Sequence, residues 1–183
     1  MDLVRPDATH LASYRDALRR GWSPDSQRPE AAAEELLRVD ADPEAFLAEQ
    51  DDRTASGPDI TLPDGRSVPR LPGFHLWIWD GAFAGGISLR WRPGTTDLPD
   101  YCLGHIGYGV VPWRRRLGYA TGALALMLPH ARAEGLRFVE LVTDDSNTAS
   151  RRVIEHHGGR VVERFHKPWA APGAVSLRYR ITL

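Results

Sequence analysis

The sequence predicts an α/β fold in a single domain, with a mixed sheet flanked by helices. The chain has 183 residues, a length that suits one domain. Hydrophobic residues make up 42% of it and charged residues 26%, which supplies enough apolar surface for a buried core. Segments with strand and helix patterns follow one another in the order β-α-α-β-β-β-α-β-α-β-β.

The first fifty residues predict a short strand followed by helices. LVRP is the strand candidate, and Asp7 or Thr9 can cap a helix over ATHLASYRDALRRG that ends at Gly21. Residues 29–50 favour one or two helices, broken near Asp42 because a proline follows it.

Residues 51–73 have a different composition. This segment carries four prolines and three glycines, which predicts a long loop. Long loops in compact domains are usually disordered or serve as functional lids.

Residues 74–111 change to a strand pattern. FHLWIW and FAGGISLRW are rich in β-forming residues, and the turn at Asp80 and Gly81 between them predicts a hairpin. A third strand, YCLGHIGYGVV, stops at Pro112.

The remaining residues alternate between helices and strands. The helix over LGYATGALALMLPHARAE contains Pro129, which should kink it or end it early. RFVELVT is a strand, and the helix in DDSNTASRRVIEHHGG should have Asp145 or Ser146 as its N-cap and end at Gly158. GRVVERF and AVSLRYRIT are the closing strands.

Composition excludes several classes of protein. The formal net charge is −1, which argues against bulk nucleic acid or an anionic membrane as the main partner. The single cysteine, Cys102, excludes an internal disulfide framework and fits a reducing cytosol. The sequence has neither an apolar signal core at its start nor a run of about 18 apolar residues, so we expect a soluble cytoplasmic protein.

A run of arginines precedes the apolar helix. A helix N-terminus has free backbone N–H groups and a partial positive charge, so a turn before it can bind an anion. In VVPWRRRLGYAT, Gly118 allows close approach of a ligand, Ala120 is small, Arg115 can bind phosphate, and Thr121 adds a hydroxyl. These features predict a diphosphate site at residues 115–121, and the alternative is a solvated basic turn.

Three motifs in this order resemble a known family. VVPWRRRLGYAT resembles the acyl-CoA-binding motif of the GCN5-related N-acetyltransferase (GNAT) superfamily, with Arg115, Gly118 and Ala120 at its Arg/Gln-x-x-Gly-x-Gly/Ala positions. DDSNTASRRVIEHHGG is similar to the second cofactor motif, in which Asn147 and Ser150 open a helix. GHIGYGVVP resembles the strand before the cofactor loop, and together the matches cover residues 74–165.

The resemblance implies a GNAT-like fold and acetyl-CoA as the acyl donor. The mixed, largely antiparallel sheet would be splayed in the middle, between YCLGHIGYGVV and RFVELVT. Pantetheine would lie in that gap, and the pyrophosphate on the backbone N–H groups of residues 116–121. The cofactor-binding residues expected from the resemblance are Val110 and Val111 through their main chains, Arg115, Arg116, Leu117, Gly118, Tyr119, Ala120, Thr121, Asn147, Ser150 and Arg151.

Acetyl transfer to an amine needs a base that keeps the amine neutral, donors to the thioester carbonyl, and an acid for the leaving thiolate. His105 is the predicted base, because similar EIGY strands in related acetyltransferases carry glutamate where this sequence has His105. The alternative is a structural histidine bonded to a loop carbonyl. Tyr108 is the next candidate, as donor to the carbonyl or thiolate, although it can also be a packing residue.

One position departs from the family pattern. Many members carry a tyrosine acid seven residues after the asparagine, and counting from Asn147 gives Ile154. Tyr108 or water would then protonate the thiolate, or it would leave unassisted. An acyl-cysteine step at Cys102 is rejected, because a buried free cysteine is the commoner case.

We therefore expect an acetyl-CoA-dependent N-acetyltransferase that moves an acetyl group to a primary amine of a small molecule or peptide, by direct attack in a ternary complex. The alternative is a non-catalytic acyl-CoA-binding or sensing module. No metal is expected, because His156 and His157 are adjacent on a helix, at what we take to be a solvated helix end, and do not face one another. Neither nucleic acid nor membrane is an expected partner, whereas a C-terminal edge strand could support a homodimer.

The single domain, 1–183, divides by expected role. Residues 1–73 would form the acceptor side, and Trp22 with the proline-rich loop would reach the acceptor. Residues 74–165 would bind acetyl-CoA, and residues 166–183 would add the closing strand.

Overall fold

A computed structural model describes residues 1–62, 64–167 and 173–183. Its helices are α1 (Leu11–Arg19), α2 (Ala31–Ala41), α3 (Pro43–Ala48), α4 (Tyr119–Ala133) and α5 (Thr148–His156). Its strands are β1 (Asp2–Val4), β2 (Asp51–Asp52), β3 (Ile60–Thr61), β4 (Ser67–Val68), β5 (Gly73–Trp79), β6 (Phe83–Arg90), β7 (Ile106–Val110), β8 (Phe138–Asp144), β9 (Arg160–Phe165) and β10 (Ser176–Thr182). The predicted α/β fold class is therefore confirmed.

Two antiparallel sheets lie side by side, and β3 and β4 form a separate two-stranded hairpin. The first has the order β1-β5-β6-β7, with β2 also paired to β5, and the second has the order β8-β10-β9. No ladder joins β7 to β8 among the described residues. The backbone N–H of His105 donates to the carbonyl of Glu140 at 2.8 Å, just before β7 begins. The two sheets are thus one surface that opens between β7 and β8, which confirms the splay that the resemblance implied.

The sheets separate two apolar cores. On one face, α4 and α5 pack against the strands, and Leu124, Met127 and Ile154 are almost fully buried there. On the other face, the N-terminal helices pack through Tyr14 and Phe46 against the strands of the first sheet. The second core fixes the position of the helices that stand above the opening.

The N-terminal helices follow the sequence in part. The Asp7 carboxylate accepts from the N–H groups of Thr9 and His10 at 2.8 and 3.1 Å in the turn before α1, but the N-cap of α1 is His10, so the prediction that Asp7 or Thr9 caps this helix is wrong. The predicted break near Asp42 is confirmed, because its carboxylate accepts from the N–H of Ala45 at 2.9 Å and starts α3.

Four further boundaries differ from the predictions. The segment 51–73 is not wholly loop, because it contains β2, the β3–β4 hairpin and the start of β5. The third strand is shorter than predicted and begins only at Ile106. The N-cap of α5 is Asn147, whose side chain accepts from the N–H of Ser150 at 3.1 Å, and neither Asp145 nor Ser146.

The fourth difference concerns Pro129. Helix α4 does not end there but continues to Ala133. Pro129 has no N–H to give to the carbonyl of Ala125, one turn earlier. Both residues are exposed, so water can satisfy that carbonyl and the helix tolerates the proline.

Candidate active site

The start of α4 forms a backbone cradle. Arg116 and Gly118 have φ angles of +65° and +82°, which turn the chain so that the loop leads directly into the helix. Among the described residues, no protein acceptor binds the backbone N–H groups of residues 116–121. A Cβ placed on Gly118 would meet no protein atom within 4 Å, so the space in front of the cradle is open. Six unpaired donors at a helix N-terminus fit an anion such as a pyrophosphate.

Side chains behind the cradle hold the helix start in place. The Tyr119 hydroxyl donates to the Asp80 carboxylate, and Arg114 reaches the same carboxylate at 3.5 Å. The Tyr119 side chain is buried, so only its backbone faces the cradle. Leu117, by contrast, is 64% exposed at the rim.

The opening between the sheets starts beside this cradle. The N–H of Val111 donates to the carbonyl of Ala84 at 3.0 Å, and in an antiparallel pair the residues that bond the neighbour alternate with those that point away. The main-chain groups of Val110 and Tyr108 therefore face the opening. The Val111 main chain is used inside the sheet and its side chain is buried, so the prediction that it supplies groups to a ligand in the gap is wrong.

Arg115 connects the cradle to the opening. Its Nε donates to the carbonyl of Val110 at 3.2 Å, while the residue as a whole is exposed. No acceptor of the described residues binds its other guanidinium nitrogens, which are therefore available to a phosphate.

Helix α5 forms the opposite side of the opening. The Tyr108 hydroxyl donates to the carbonyl of Ser150 at 3.3 Å and so spans from β7 to the first turn of α5. Burial raises the pKa of this phenol. The Asn147 side chain is exposed and caps the helix, which places it with Ser150 beside the gap.

Two other predicted residues are occupied by protein contacts. The Arg151 guanidinium donates to the backbone carbonyl and carboxylate of Asp145 and to the Tyr179 hydroxyl. The carbonyl of Thr121 accepts from His157 at 2.9 Å, which leaves its N–H in the cradle. His157 thus links α5 to α4, and the expectation that it lies at a solvated helix end is wrong.

His105 closes the inner end of the opening. Its ring is completely buried, its Nε2 lies 2.9 Å from the carbonyl of Thr96, and its Nδ1 accepts from the N–H of Glu140 at 2.9 Å. Both nitrogens are satisfied in the neutral tautomer that carries its proton on Nε2. The ring has no free nitrogen to offer a substrate. The structure therefore contradicts the prediction that His105 is the general base.

Two adjoining cavities lie above the opening. The larger, of about 840 Å³, runs from the gap to the N-terminal helices, and Trp22 lines it as expected. The smaller, of about 480 Å³, reaches the β3–β4 hairpin in the segment 51–73. Lys167 lines the smaller one, and its Nζ lies 3.0 Å from the Asp144 carboxylate, with the side chain 13% exposed.

The cavities contain charged residues that the sequence did not single out. Glu35 and Glu49 both pair with Arg38 on the side of the helices. His75 and Arg90 line both cavities from the face of the first sheet. The only signal in the sequence for His75 and Arg90 is that each is a polar residue in a largely apolar strand.

Two further features are negative. No group of three or more metal-ligating side chains able to hold an ion occurs in residues 1–62, 64–167 and 173–183. Within the same ranges, no helix is both long enough and apolar enough to cross a membrane.

Comparison with known proteins identifies related folds. The family model described as Acetyltransferase (GNAT) family matches residues 11–158. No curated protein matches the chain by sequence. Several solved structures match over nearly the whole chain.

Three of these structures are informative. Microcin C7 self immunity acetyltransferase MccE, solved in complex with acetyl-CoA and AMP, has 10% identity over 99% of this chain and 91% of its own, with a TM-score of 0.63. RimL, the ribosomal L7/L12 alpha-N-protein acetyltransferase in complex with coenzyme A, has 14% identity over 99% and 93%, with a TM-score of 0.65. Mycobacterium smegmatis RimJ has 21% identity over 98% and 80%, with a TM-score of 0.62. At these identities the likeness shows a common fold.

Proposed function

The chain belongs to the acetyltransferase (GNAT) family, and from that premise we propose that it transfers the acetyl group of acetyl-CoA to a primary amine by direct attack in a ternary complex. The observation that supports this most directly is the continuity of the site. Six free N–H groups at the start of α4 lead into an opening between β7 and β8, and the opening leads into a cavity of about 840 Å³.

The donor would bind along the first half of this path. The N–H groups of residues 116–121 and the Arg115 guanidinium would hold the phosphates, because both supply donors at an open surface. The main-chain groups of Val110 and Tyr108 would pair with pantetheine as a neighbouring strand does. A backbone N–H in the gap can also polarise the thioester carbonyl as negative charge develops on its oxygen. Asn147 and Ser150 would form the far wall.

Tyr108 is the proposed general acid. The family position for a tyrosine is Ile154 here, and that side chain is buried in the core. The Tyr108 hydroxyl reaches the start of the same helix from the opposite strand. A phenol is protonated at neutral pH, and burial raises the pKa of this one further, so it would act as a hydrogen-bond donor to the leaving sulfur and give up its proton only as the thiolate forms.

The amine would approach from the larger cavity. With the His105 ring closed off, the carboxylates of Asp25, Glu35 and Glu49 on the wall of the larger cavity would receive the proton of the amine through water. Residues 1–73 would thus form the acceptor side and residues 74–165 the donor side, with the closing strand in 166–183.

The proposal also includes the oligomeric state of the protein. Strand β9 is an edge strand with Val161 and Val162 exposed to 42% and 49%, which supports a homodimer through that edge. Light scattering of the wild type should then give twice the mass of one chain, and Val162→Arg should give the mass of a single chain.

The proposed donor belongs to the cytoplasm, so we propose that the protein works there, and fractionation of cells that express it would test this.

An amine panel tests the function. Free thiol released from acetyl-CoA should rise with at least one primary amine and stay at background without any. Calorimetry should show that coenzyme A binds whether the protein is an acetyltransferase or a non-catalytic binding module. Binding without thiol release across the panel would favour the alternative, a non-catalytic acyl-CoA-binding module, which the absence of tyrosine at position 154 also fits.

A further inference from the structure

Arg90 carries a charge that the rest of the site does not neutralise. Its side chain is exposed, it forms no ion pair with a carboxylate of the described residues, and its guanidinium donates to the Ser88 hydroxyl at 3.3 Å. The other arginines on the cavity walls are committed. Arg38 pairs with two glutamates, and Arg70 donates to the carbonyl of Pro58 at 3.0 Å and approaches Asp52 at 4.0 Å.

Arg90 lies close to the edge of the gap. Its Nη2 lies 3.9 Å from the point that a Cβ on Gly107 would occupy. Gly107 precedes Tyr108, whose main chain faces the opening. Because Gly107 has no side chain, the Ser88 hydroxyl, 3.5 Å from the same point, and the Arg90 guanidinium are the nearest protein groups there. The cation thus lies on the cavity side of the strand, where an acceptor must approach.

The surroundings respond to the same charge. The exposed side chain of His75 lines both cavities, and the residue lies opposite Ser88 in the pairing of β5 with β6. Partial desolvation by the cavity walls lowers the pKa of His75 to about 4, and the positive charges of Arg90 and Arg70 add to this effect. The charge of Arg90 is therefore one contributor to the low pKa of its neighbour.

We propose that the acceptor is an amine that also carries an anionic group, a carboxylate or a phosphate, and that Arg90 binds this group. A guanidinium presents paired donors that match the two oxygens of a carboxylate or phosphate. Binding would satisfy a cation that no carboxylate in the described residues neutralises, and would fix the amine beside the gap. The inference rests on the proposed acetyl transfer and names the chemistry of its second substrate.

Matched pairs of amines test the proposal by activity. Glycine, β-alanine and 4-aminobutyrate would each be compared with the corresponding amide, and 2-aminoethyl phosphate with ethanolamine. We expect kcat/KM to be at least about tenfold higher for the best anionic amine than for its neutral partner, the scale of one charge-assisted contact. The carboxylate and phosphate arms show which anion fits.

Variants assign the preference to Arg90. Arg90→Gln should remove it mainly through KM, and Arg90→Lys should keep part of it. Arg92→Gln, at an exposed residue two positions on that lines neither cavity, is the matched control and should behave as wild type. A wild-type preference for the neutral partners, or an anion preference that survives in Arg90→Gln, would overturn the proposal.

A binding measurement separates this inference from the proposed function. Inorganic phosphate, added without any acetyl donor, should raise the pKa of His75, because the anion offsets the charge of Arg90. An NMR titration of the His75 ring measures this pKa. The rise should be lost in Arg90→Gln and kept in Arg92→Gln. If phosphate does not shift His75 in the wild type, the anion site is absent, whatever the turnover. If it does shift while no amine releases thiol, the anion site stands and acetyl transfer fails.

Discussion

His105 and Glu140 exchange two hydrogen bonds at the point where β7 and β8 come together. The N–H of His105 donates to the carbonyl of Glu140 at 2.8 Å, and the N–H of Glu140 donates to Nδ1 of the imidazole at 2.9 Å. The ring substitutes for the strand backbone that a continuous sheet would place there. The opening therefore has a fixed inner end, and its depth is set by a side chain.

Loss of this ring should cost stability. His105→Ala leaves the buried N–H of Glu140 and the carbonyl of Thr96 without partners, so we expect the free energy of unfolding to fall by about 2–4 kcal/mol. His156→Ala, at an exposed histidine of α5, should change it by less than about 0.5 kcal/mol. Urea unfolding of both variants is the measurement. Equal stability in the two would mean that the ring does not hold the sheets together.

The buried ring also makes stability depend on pH. Burial lowers the folded-state pKa of His105 from its ordinary value of about 6.5, so below that pH the unfolded chain binds more protons than the folded one. Stability should be fully present above about pH 6.5 and fall as the pH drops towards the folded-state pKa. His75 acts in the same direction, down to its pKa of about 4.

Thermal unfolding between pH 7.5 and 4.5, a range of about three units around the ordinary histidine pKa, measures this effect. His105→Gln should show a smaller fall in Tm than wild type, and His156→Gln should match wild type. The pKa of Asp52 is also lowered, but the stability that this carboxylate contributes is lost only below its ordinary pKa of 3.8, which is outside the pH range of the experiment. An unchanged slope in His105→Gln would contradict the assignment.

Gly118→Val should impair binding of coenzyme A. The side chain would project into the open space before the cradle, and φ of +82° is strained for a branched residue. Gly21→Val is a close control, because Gly21 also has a positive φ, +83°, with nothing within 4 Å, but lies at the end of α1. By calorimetry we expect the affinity for coenzyme A to fall at least about tenfold in Gly118→Val, which corresponds to about 1.4 kcal/mol of binding free energy. Gly21→Val should bind as the wild type does. Equal affinities in the two variants would refute the site.

Arg115→Glu should weaken the same binding and reduce its salt dependence. The change removes a cation at the mouth of the gap and introduces a repulsive charge near the proposed phosphates. Arg132→Glu makes the same charge reversal at the exposed last turn of α4 and should leave binding nearly unchanged. Kd measured at several salt concentrations tests the pair. A parallel loss in both would indicate a general charge effect and no local contact.

Tyr108→Phe should lower kcat by about 10-fold to 100-fold if the phenol is the acid, on the scale of a lost proton donor. The Kd for coenzyme A should hold, since the phosphates bind elsewhere. Tyr101→Phe removes a hydroxyl that donates to the carbonyl of Pro69 and is the control. Wild-type kcat in Tyr108→Phe would return Tyr108 to a packing role.

The order of helices and strands could be predicted because each depends on nearby residues. Asp42 followed by proline is a local signal for a helix N-terminus, and the turn at Asp80 and Gly81 closes a hairpin from two residues. The N-cap of α5 could not be chosen, because DDSN offers four capping residues in a row and only geometry selects Asn147. The effect of Pro129 depended on exposure, which the apolar run around it concealed.

The open backbone loop at 116–121 could be predicted, whereas the contacts of the side chains around it could not. The cradle at 116–121 is a local arrangement of glycine, arginine and a helix start. The role of His105 depends on Thr96 and Glu140, which lie 9 and 35 residues away in the chain. Arg90 gains significance only because its strand turns it towards a cavity and no described carboxylate meets it there.

Lys167 is the only lysine in the sequence, and its amine is bound to Asp144 and largely covered. Every other basic side chain that bears a fixed charge is an arginine, whose guanidinium does not deprotonate in proteins. The enzyme thus keeps a reactive acyl donor beside a surface nearly free of nucleophilic side-chain amines. Self-acetylation of a side-chain amine can therefore occur only at Lys167, and mass spectrometry of the intact protein with peptide mapping would detect it there.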